Sequence, residues 1–557
     1  MTSFEIVILK RIFRHRENGI PSATAQSGLS RQVWSVVRKG ITVLALASLA
    51  ACGGGGGGSG TGGAPTTWVQ GVFAPSSSFA AQCATPRTGI DPATGGPFPD
   101  VQGSTLSENN YLRSWTNELY LWYSEVPDIN PAGYSTANYF DLLKTPAITP
   151  SGNPKDKFHF TYPTDVWEQL SQAGVQAGYG AEWALVAKAP PREVVVAYTE
   201  PGSPATAANI GRGAQLLTVD GVDVASGNAA ALNAGMFPTS AGESHTFEIL
   251  DPGASVSRTV TLQSENIAST PVPNVKTVGT ANGAVGYILF NDHIATAESE
   301  LIAAINQLKS AGVSDLVLDI RYNGGGYLDI ASELAYMIAG PAQTTGRTFD
   351  RMQFNGKYPT TNPVTLQALT PTPFHDQSQG FSVSSGQALP TLNLSRVYVL
   401  TSAGTCSASE AIINGLRGVG VQVIQIGSTT CGKPYGFYPQ DNCGTTYFTI
   451  EYKGVNDAGF GDYTDGFSPQ NAAGATGVLI PGCSVADDFA HALGDPLEGQ
   501  FAAALAYRMN ASCPAPTGFS PNALAMRAMR GATPSVDVSA VDDALREPPL
   551  RENRWYR

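Results

Sequence analysis

The apolar positions of this chain change their period along its length. Leu112, Trp115, Leu119 and Trp122 fall at i, i+3, i+7 and i+10, one face of a helix. Residues 139–144 and 165–172 read as further helices of the same segment. From 173 to 265 the pattern shifts to short apolar strands between turns: 183–187, 194–198 and 216–219, with Asp220-Gly221 as a hairpin signal. Beyond 284, strand and helix alternate. Residues 284–290 read as a strand, 297–310 as an amphipathic helix and 315–319 as a second strand. Residues 397–400 give another strand, 411–416 a helix-like run and 421–426 a further strand. Strand–helix–strand with crossovers of this length predicts a parallel sheet. Residues 485–489 and 497–509 read as closing helices. From Pro514 on, Pro, Ser, Ala and Arg dominate, which predicts a loosely ordered tail.

At 557 residues the chain is too long for one core, so several domains are expected. Charged residues are scarce at 14%, while Gly (61) and Pro (38) are abundant, favouring strands and long loops over a helical solenoid. A net charge of −12 argues against nucleic acid as a partner and against attraction to an anionic membrane surface. Near the N-terminus, Arg31, Arg38 and Lys39 precede an apolar run, 41–51, that is short for a bilayer span and suits a secretion signal. It ends in Leu49-Ala50-Ala51-Cys52, which resembles a bacterial lipobox with Cys52 as the lipidated residue. The glycine run 53–58 and the residues after it, to 103, read as a flexible tether. The other cysteines are Cys83, Cys406, Cys431, Cys443, Cys483 and Cys513, an even number that suggests disulfides in an exported chain. Cys431 and Cys443 bracket an apparent hairpin and are the pair expected first. Cys406 has no His in a shared motif, so a structural role is expected for it rather than that of a catalytic thiol.

Two loops carry the candidate chemistry. The first leaves strand 397–400 and opens a helix at Ser407-Ala408-Ser409-Glu410. A serine at such a turn presents its hydroxyl while nearby N–H groups face developing negative charge. The second leaves strand 421–426 and carries Gly432-Lys433, at the sheet edge where α/β folds place their sites. A third stretch, Asp319-Ile320-Arg321-Tyr322-Asn323-Gly324-Gly325-Gly326, is a glycine run between strand and helix, suited to close approach of backbone to ligand. A phosphate-binding loop is the competing reading of that run, but no Gly-Lys-Ser/Thr comes after it. The chain also lacks His-Glu-x-x-His and Gly-x-Ser-x-Gly, the signatures of zinc peptidases and α/β-hydrolases. His293 comes after a strand of the same region and is the alternative base for Ser407.

Together, Ser-Ala-Ser-Glu, Gly-Lys and the Asp-x-Arg-x-Asn-x-Gly-Gly-like segment resemble those of the carboxyl-terminal processing, or tail-specific, proteases of the S41 serine peptidase family. The resemblance covers roughly residues 105–510. It implies Ser407 as nucleophile, Lys433 as general base, and an oxyanion hole from the N–H of Ala408 with that of Gly325 or Gly326. Gly324 stands where the family has proline. Phe437 stands where many members have a glutamine that supports the lysine, which leaves Gln440 as the candidate substitute. Lysine ordinarily holds its proton to about pH 10.4, so Lys433 is expected to be buried among apolar groups that disfavour its charge. The order of strands and turns in 173–265 is similar to a PDZ domain, with Gly178-Tyr179-Gly180 as its carboxylate-binding loop. Loop N–H groups of this kind hold a carboxylate while a peptide adds as an edge strand.

The expected fold is multidomain α+β. A signal with lipobox spans 1–52, a tether 53–103, a helical segment 104–172 and a PDZ-like β-rich domain 173–268. An α/β peptidase core of the ClpP/crotonase-like kind spans 269–512, and a tail 513–557. The expected function is a serine endopeptidase of the bacterial cell envelope, facing the periplasm from a lipid anchor and cutting polypeptides selected by their free C-termini. No metal or cofactor is implied. The alternative is a PDZ-bearing lipoprotein that binds peptide tails without cutting them.

Overall fold

The computed structural model describes residues 68–514, apart from 93, 174 and 188. The expected signal with Cys52, the glycine run and the tail from 515 lie outside the described residues. Mixed helix and sheet run throughout, as the multidomain α+β reading expects.

The N-terminal segment is built on helix α1 (Thr105–Leu119), capped by Ser104, whose hydroxyl accepts from the N–H of Ser107. Its buried face carries Tyr111, Leu112 and Trp115, which pack on Tyr139 and Phe140 of α2 (Thr136–Leu142). Trp122 does not continue that face, because the helix ends at Leu119. Instead Trp122 packs edge-on against Tyr435, 4.8 Å between ring centres. The tether expectation fails over 68–103. Arg113 donates to the carbonyls of Val69 and Val72, and Asn442 accepts from the N–H of Ala81. A disulfide from Cys83 to Cys443 then fastens this stretch to the C-terminal half of the chain. The polar composition hid these contacts, since they use backbone carbonyls and one cysteine rather than apolar side chains.

The β-rich module contains β1 (Ala181–Ala187), β2 (Glu193–Thr199), β3 (Gln215–Val219), α3 (Ala229–Met236), β4 (Ser244–Leu250) and β5 (Arg258–Gln263). Its sheet runs in the order β5-β4-β3-β2-β1, which leaves β1 as an edge strand. Trp183, Val194, Val196, Leu232 and Phe247 fill its core.

The largest core belongs to a six-stranded sheet. Its strands are β6 (Asn274–Thr280), β7 (Gly283–Leu289), β8 (Asp315–Asp319), β9 (Arg396–Thr401), β10 (Gln422–Gly427) and β11 (Gly482–Ser484), in that spatial order. Only the β6–β7 pair is antiparallel; the rest are parallel, as the crossovers demand. Helices α4 (Ala297–Ser310), α5 (Leu328–Ala339) and α6 (Ala408–Gly418) cover one face, and α7 (Gly499–Asn510) the other. The strands read as unbroken apolar runs because both faces are buried. Residues 485–489, expected as a helix, form none. Asp487 and Asp488 there serve as acceptors for Arg212 and Arg321, which a regular helix would not aim.

Candidate active site

The C-terminal ends of β8, β9 and β10 point to one edge of the sheet, and a loop leaves each. The loop after β9 carries Ser407 directly before α6. Its φ of +55° lies in the left-handed region, sparsely populated for a residue with a Cβ and frequent where a site needs a side chain held forward. The glycine loop after β8 packs against it. A Cβ on Gly325 would lie 2.8 Å from the Ser407 Cβ, so glycine is required at this approach. The N–H of Cys406 and the hydroxyl of Ser409 both donate to the carbonyl of Asn323, locking the two loops together.

Ser407, Ala408, Gly326 and Lys433 line a single cavity, with Leu328, Ala411, Tyr435, Tyr452 and Tyr463 among its other walls. The structure thus brings the expected nucleophile, base and two of the expected N–H groups together. Gly325 stands apart in one respect. Its own N–H donates to the Asn323 side chain at 3.0 Å, whereas Gly326, at a φ of +139°, faces the cavity. Ala408 is the first residue of α6, where backbone N–H groups have no intrahelical acceptor and the helix dipole favours negative charge.

Lys433 is 1% exposed. Its Nζ lies 4.1 Å from the ring centre of Phe437 and 5.2 Å from that of Phe158. Gln440 does not take the supporting role expected of it. It sits on the strand Gln440–Asn442, where its exposed amide donates to the carbonyl of Asp441. Aromatic faces therefore occupy ground that a polar group was expected to hold. The ring quadrupole can still hold an ammonium in place while excluding water.

The sequence pattern shows Glu410 only as part of a motif, and the structure gives it a role. Its carboxylate, fully buried, accepts from the N–H of Ser407 (3.1 Å), Gly432 (2.8 Å) and Lys433 (2.8 Å) and from the Thr430 hydroxyl (2.5 Å). One side chain thus fixes the backbone of nucleophile and lysine together. Burial pushes its carboxyl above the ordinary range, opposed by those four donors. The disulfide Cys406–Cys431 joins the same two loops, and Cys483–Cys513 closes the third pair. The expected Cys431–Cys443 pair is not made. Hairpin spacing suggested it, but Cys443 faces the N-terminal segment and Cys431 the nucleophile loop.

His293 is fully buried with Nδ1 2.9 Å from Oδ1 of Asn323, and burial pulls its pKa down to about 3. It supports the glycine loop from behind, donating its N–H to the Gly325 carbonyl (3.3 Å), and is not among the groups lining the Ser407 cavity. In the β-rich module, Gly178 ends a strand paired with residues 265–268, and Gly180 has a φ of +72°. The Tyr179 side chain turns into the module core, its hydroxyl donating to the carbonyl of Gly235 in α3.

Comparisons with known proteins bear on this arrangement. Residues 284–438 match the family model "Peptidase family S41". It is similar to the carboxyl-terminal-processing protease of Picosynechococcus sp., 29% identical over 272 residues, 48% of this chain and 56% of that protein. That of Synechocystis sp. is 27% identical over 268 residues, 48% of this chain and 55% of its own length. The chain thus spans a little over half the length of the curated relatives it matches. Among solved structures, a Bacteroides fragilis protein described as an S41 protease shares the fold, with a TM-score of 0.53 at 20% identity. The match covers 74% of this chain and 98% of that one.

Proposed function

We propose that the protein is a serine endopeptidase that uses Ser407 as nucleophile and Lys433 as general base. The observation that carries this reading is the burial of Lys433 in the same cavity as a serine held at a positive φ on a helix N-terminus. Exclusion from water disfavours the ammonium, which lets the amine take the Ser407 proton. Ser407 Oγ attacks the scissile carbonyl, and the N–H groups of Ala408 and Gly326 hold the oxygen as it gains charge. Lys433 then gives the proton to the departing amine. Water, activated by the same lysine, releases the acyl group and restores the serine.

We read residues 173–268 as a PDZ-like module and the loop Gly178-Tyr179-Gly180 as its carboxylate site. The open edge of β1, where Val186 is exposed, supports strand addition by a polypeptide C-terminus. The three disulfides support an oxidising, extracytoplasmic location, in keeping with an exported chain anchored through Cys52. Cleavage of casein and of tailed peptides, beside Ser407→Ala and Lys433→Ala, tests the dyad. Both substitutions are expected to abolish cutting, and His293→Ala to leave residual activity that still depends on Lys433. Cutting that survives Lys433→Ala would overturn the lysine's role. Binding of peptide tails without any cleavage would make the chain a binding protein.

A further inference from the structure

One buried acid in the Ser407 cavity has no place in the chemistry above. Asp350 lies on β12 (Thr348–Phe354), a strand after α5 that pairs with β13 (Tyr452–Val455). The pairing register on the other side of β12 shifts between Thr348 and Asp350, and two successive side chains, Phe349 and Asp350, both turn inward. Gly454, across the ladder, leaves the space the carboxylate fills: a Cβ there would lie 2.3 Å from Asp350 Oδ1. The Asp350 side chain is 7% exposed, and its Oδ2 is buried without a hydrogen-bond partner. Among the described residues, no Lys or Arg forms an ion pair with it. A buried carboxyl left unpaired is costly, and such groups gather where a ligand completes them.

The residues lining the cavity point to the class of that ligand. With the scissile carbonyl carbon at Ser407 and its oxygen at Ala408 and Gly326, the side chain of the residue donating that carbonyl has this same cavity to enter. Apart from Ser407 and Lys433, the side chains it meets are mostly apolar or aromatic: Leu328, Ala411, Tyr452 and Tyr463. Asp350 lines the cavity with them. Apolar walls with one buried acid fit a long aliphatic stem that ends in a cation.

We propose that Asp350 is a specificity-determining residue that selects lysine or arginine immediately before the scissile bond. This rests on the peptidase reading of Ser407 and Lys433 and extends it to the substrate class. An incoming guanidinium or ammonium supplies the partner that Oδ2 lacks and keeps the carboxylate ionised. Burial alone pushes the Asp350 carboxyl up to about 7, so with no cation beside it the group is largely the acid below neutrality.

The test is the cleavage profile of the full chain on denatured casein, read by mass spectrometry, and then on peptides that differ only at the residue before the cut. Lys and Arg are expected before the cut bonds, with kcat/KM on the order of 10²-fold above Leu or Ala. Asp350→Asn should lose that advantage, falling about 10²-fold on Lys and Arg peptides while changing Leu and Ala peptides by less than about threefold. Should Asp350→Asn misfold, the profile of the unaltered enzyme decides alone. Cleavage that depends on Ser407 but shows no enrichment of Lys or Arg overturns the role of Asp350 and leaves the peptidase reading standing. No cleavage, or cleavage untouched by Ser407→Ala, fails the peptidase reading and this inference with it.

Discussion

Glu410 never needs to touch a substrate, yet four donors from three different residues of the lysine loop and from Ser407 itself converge on it. Replacing it by glutamine turns one acceptor oxygen into a donor aimed at N–H groups that cannot turn away. We expect Glu410→Gln to cost about 1–3 kcal/mol of stability, the range for leaving a buried polar group unmatched. The displaced loops should lower kcat on the order of 10²-fold with a smaller change in KM. A variant whose kcat stays at the original value would show that the loops hold their geometry without it. Asp350 makes a prediction of opposite character, about pH. Burial raises its folded pKa from 3.8 to about 7, so the unfolded chain releases this proton first. Stability therefore falls as pH rises from about 4 to about 7 and levels off above, by at most about 4 kcal/mol. Asp350→Asn removes this contribution, while other buried acids such as Glu333 and Glu200, also raised by burial, remain in both proteins. The gain in stability of the variant over the original should grow across that window in urea melts at fixed pH. A difference that does not vary with pH would mean the carboxyl is solvated in the folded state.

The loops after β9 and β10 are short on apolar side chains and are held by other means: Glu410, the glycine contacts and the Cys406–Cys431 disulfide. Gly432 shows how tight the fit is, since a Cβ at its φ of +82° would lie 2.1 Å from the Thr464 carbonyl oxygen. Replacing both Cys406 and Cys431 by serine should cost about 3 kcal/mol of stability, the usual size for a cross-link closing a loop of this length. Cleavage should fall with it, and thermal melts with matched kinetics would show whether the two losses track. An unchanged melting point would mean Glu410 alone suffices to pair the loops. This region also shows what a sequence can carry. Buried parallel strands and the helix periods of α1 and α4 are legible because continuous apolar runs and 3.6-residue spacing arise directly from burial. Ser407 and Lys433 are legible because the chemistry demands those residue types beside glycines. Asp350 is not, for it lies on an ordinary-looking strand and gains meaning only when a shifted register turns it toward Ser407. The lysine's aromatic surroundings are half visible in Phe437, but Phe158 comes from 275 positions earlier and no local pattern announces it. Disulfide pairing fails for the same reason, as Cys83 and Cys443 are 360 residues apart.

At the scale of the molecule, the β-rich module and the six-stranded sheet meet at Arg212. Its guanidinium pairs with Asp487 (2.5 Å), donates to the Tyr322 hydroxyl (2.5 Å) and reaches the carbonyls of Ala197, Asp488 and His491. Tyr322 in turn donates to Asp487, which also accepts from Arg321. Arg321 sits fully buried between Asp319 and Glu498, one residue before Tyr322 in the chain that runs on to Gly325 and Gly326. A continuous set of charge-assisted contacts therefore leads from the module to the loop proposed to hold the oxyanion. Removing one member of a buried ionic set typically costs about 3–5 kcal/mol, because the remaining charges lose their partner while staying buried. For Arg212→Met we expect a loss toward that range and a fall in kcat of about tenfold, since Tyr322 anchors the glycine loop through Asp487. The module's own core, built on Trp183 and Phe247, does not include Arg212, so its fold should survive. A purely structural role would lower stability and leave kcat per folded molecule unchanged. The deciding experiment is a double-mutant cycle with Tyr322→Phe. If the two positions act through one network, their effects on kcat will be non-additive by about 1 kcal/mol or more. Additivity within about 0.5 kcal/mol would mean the module is fastened to the six-stranded sheet without being coupled to its glycine loop.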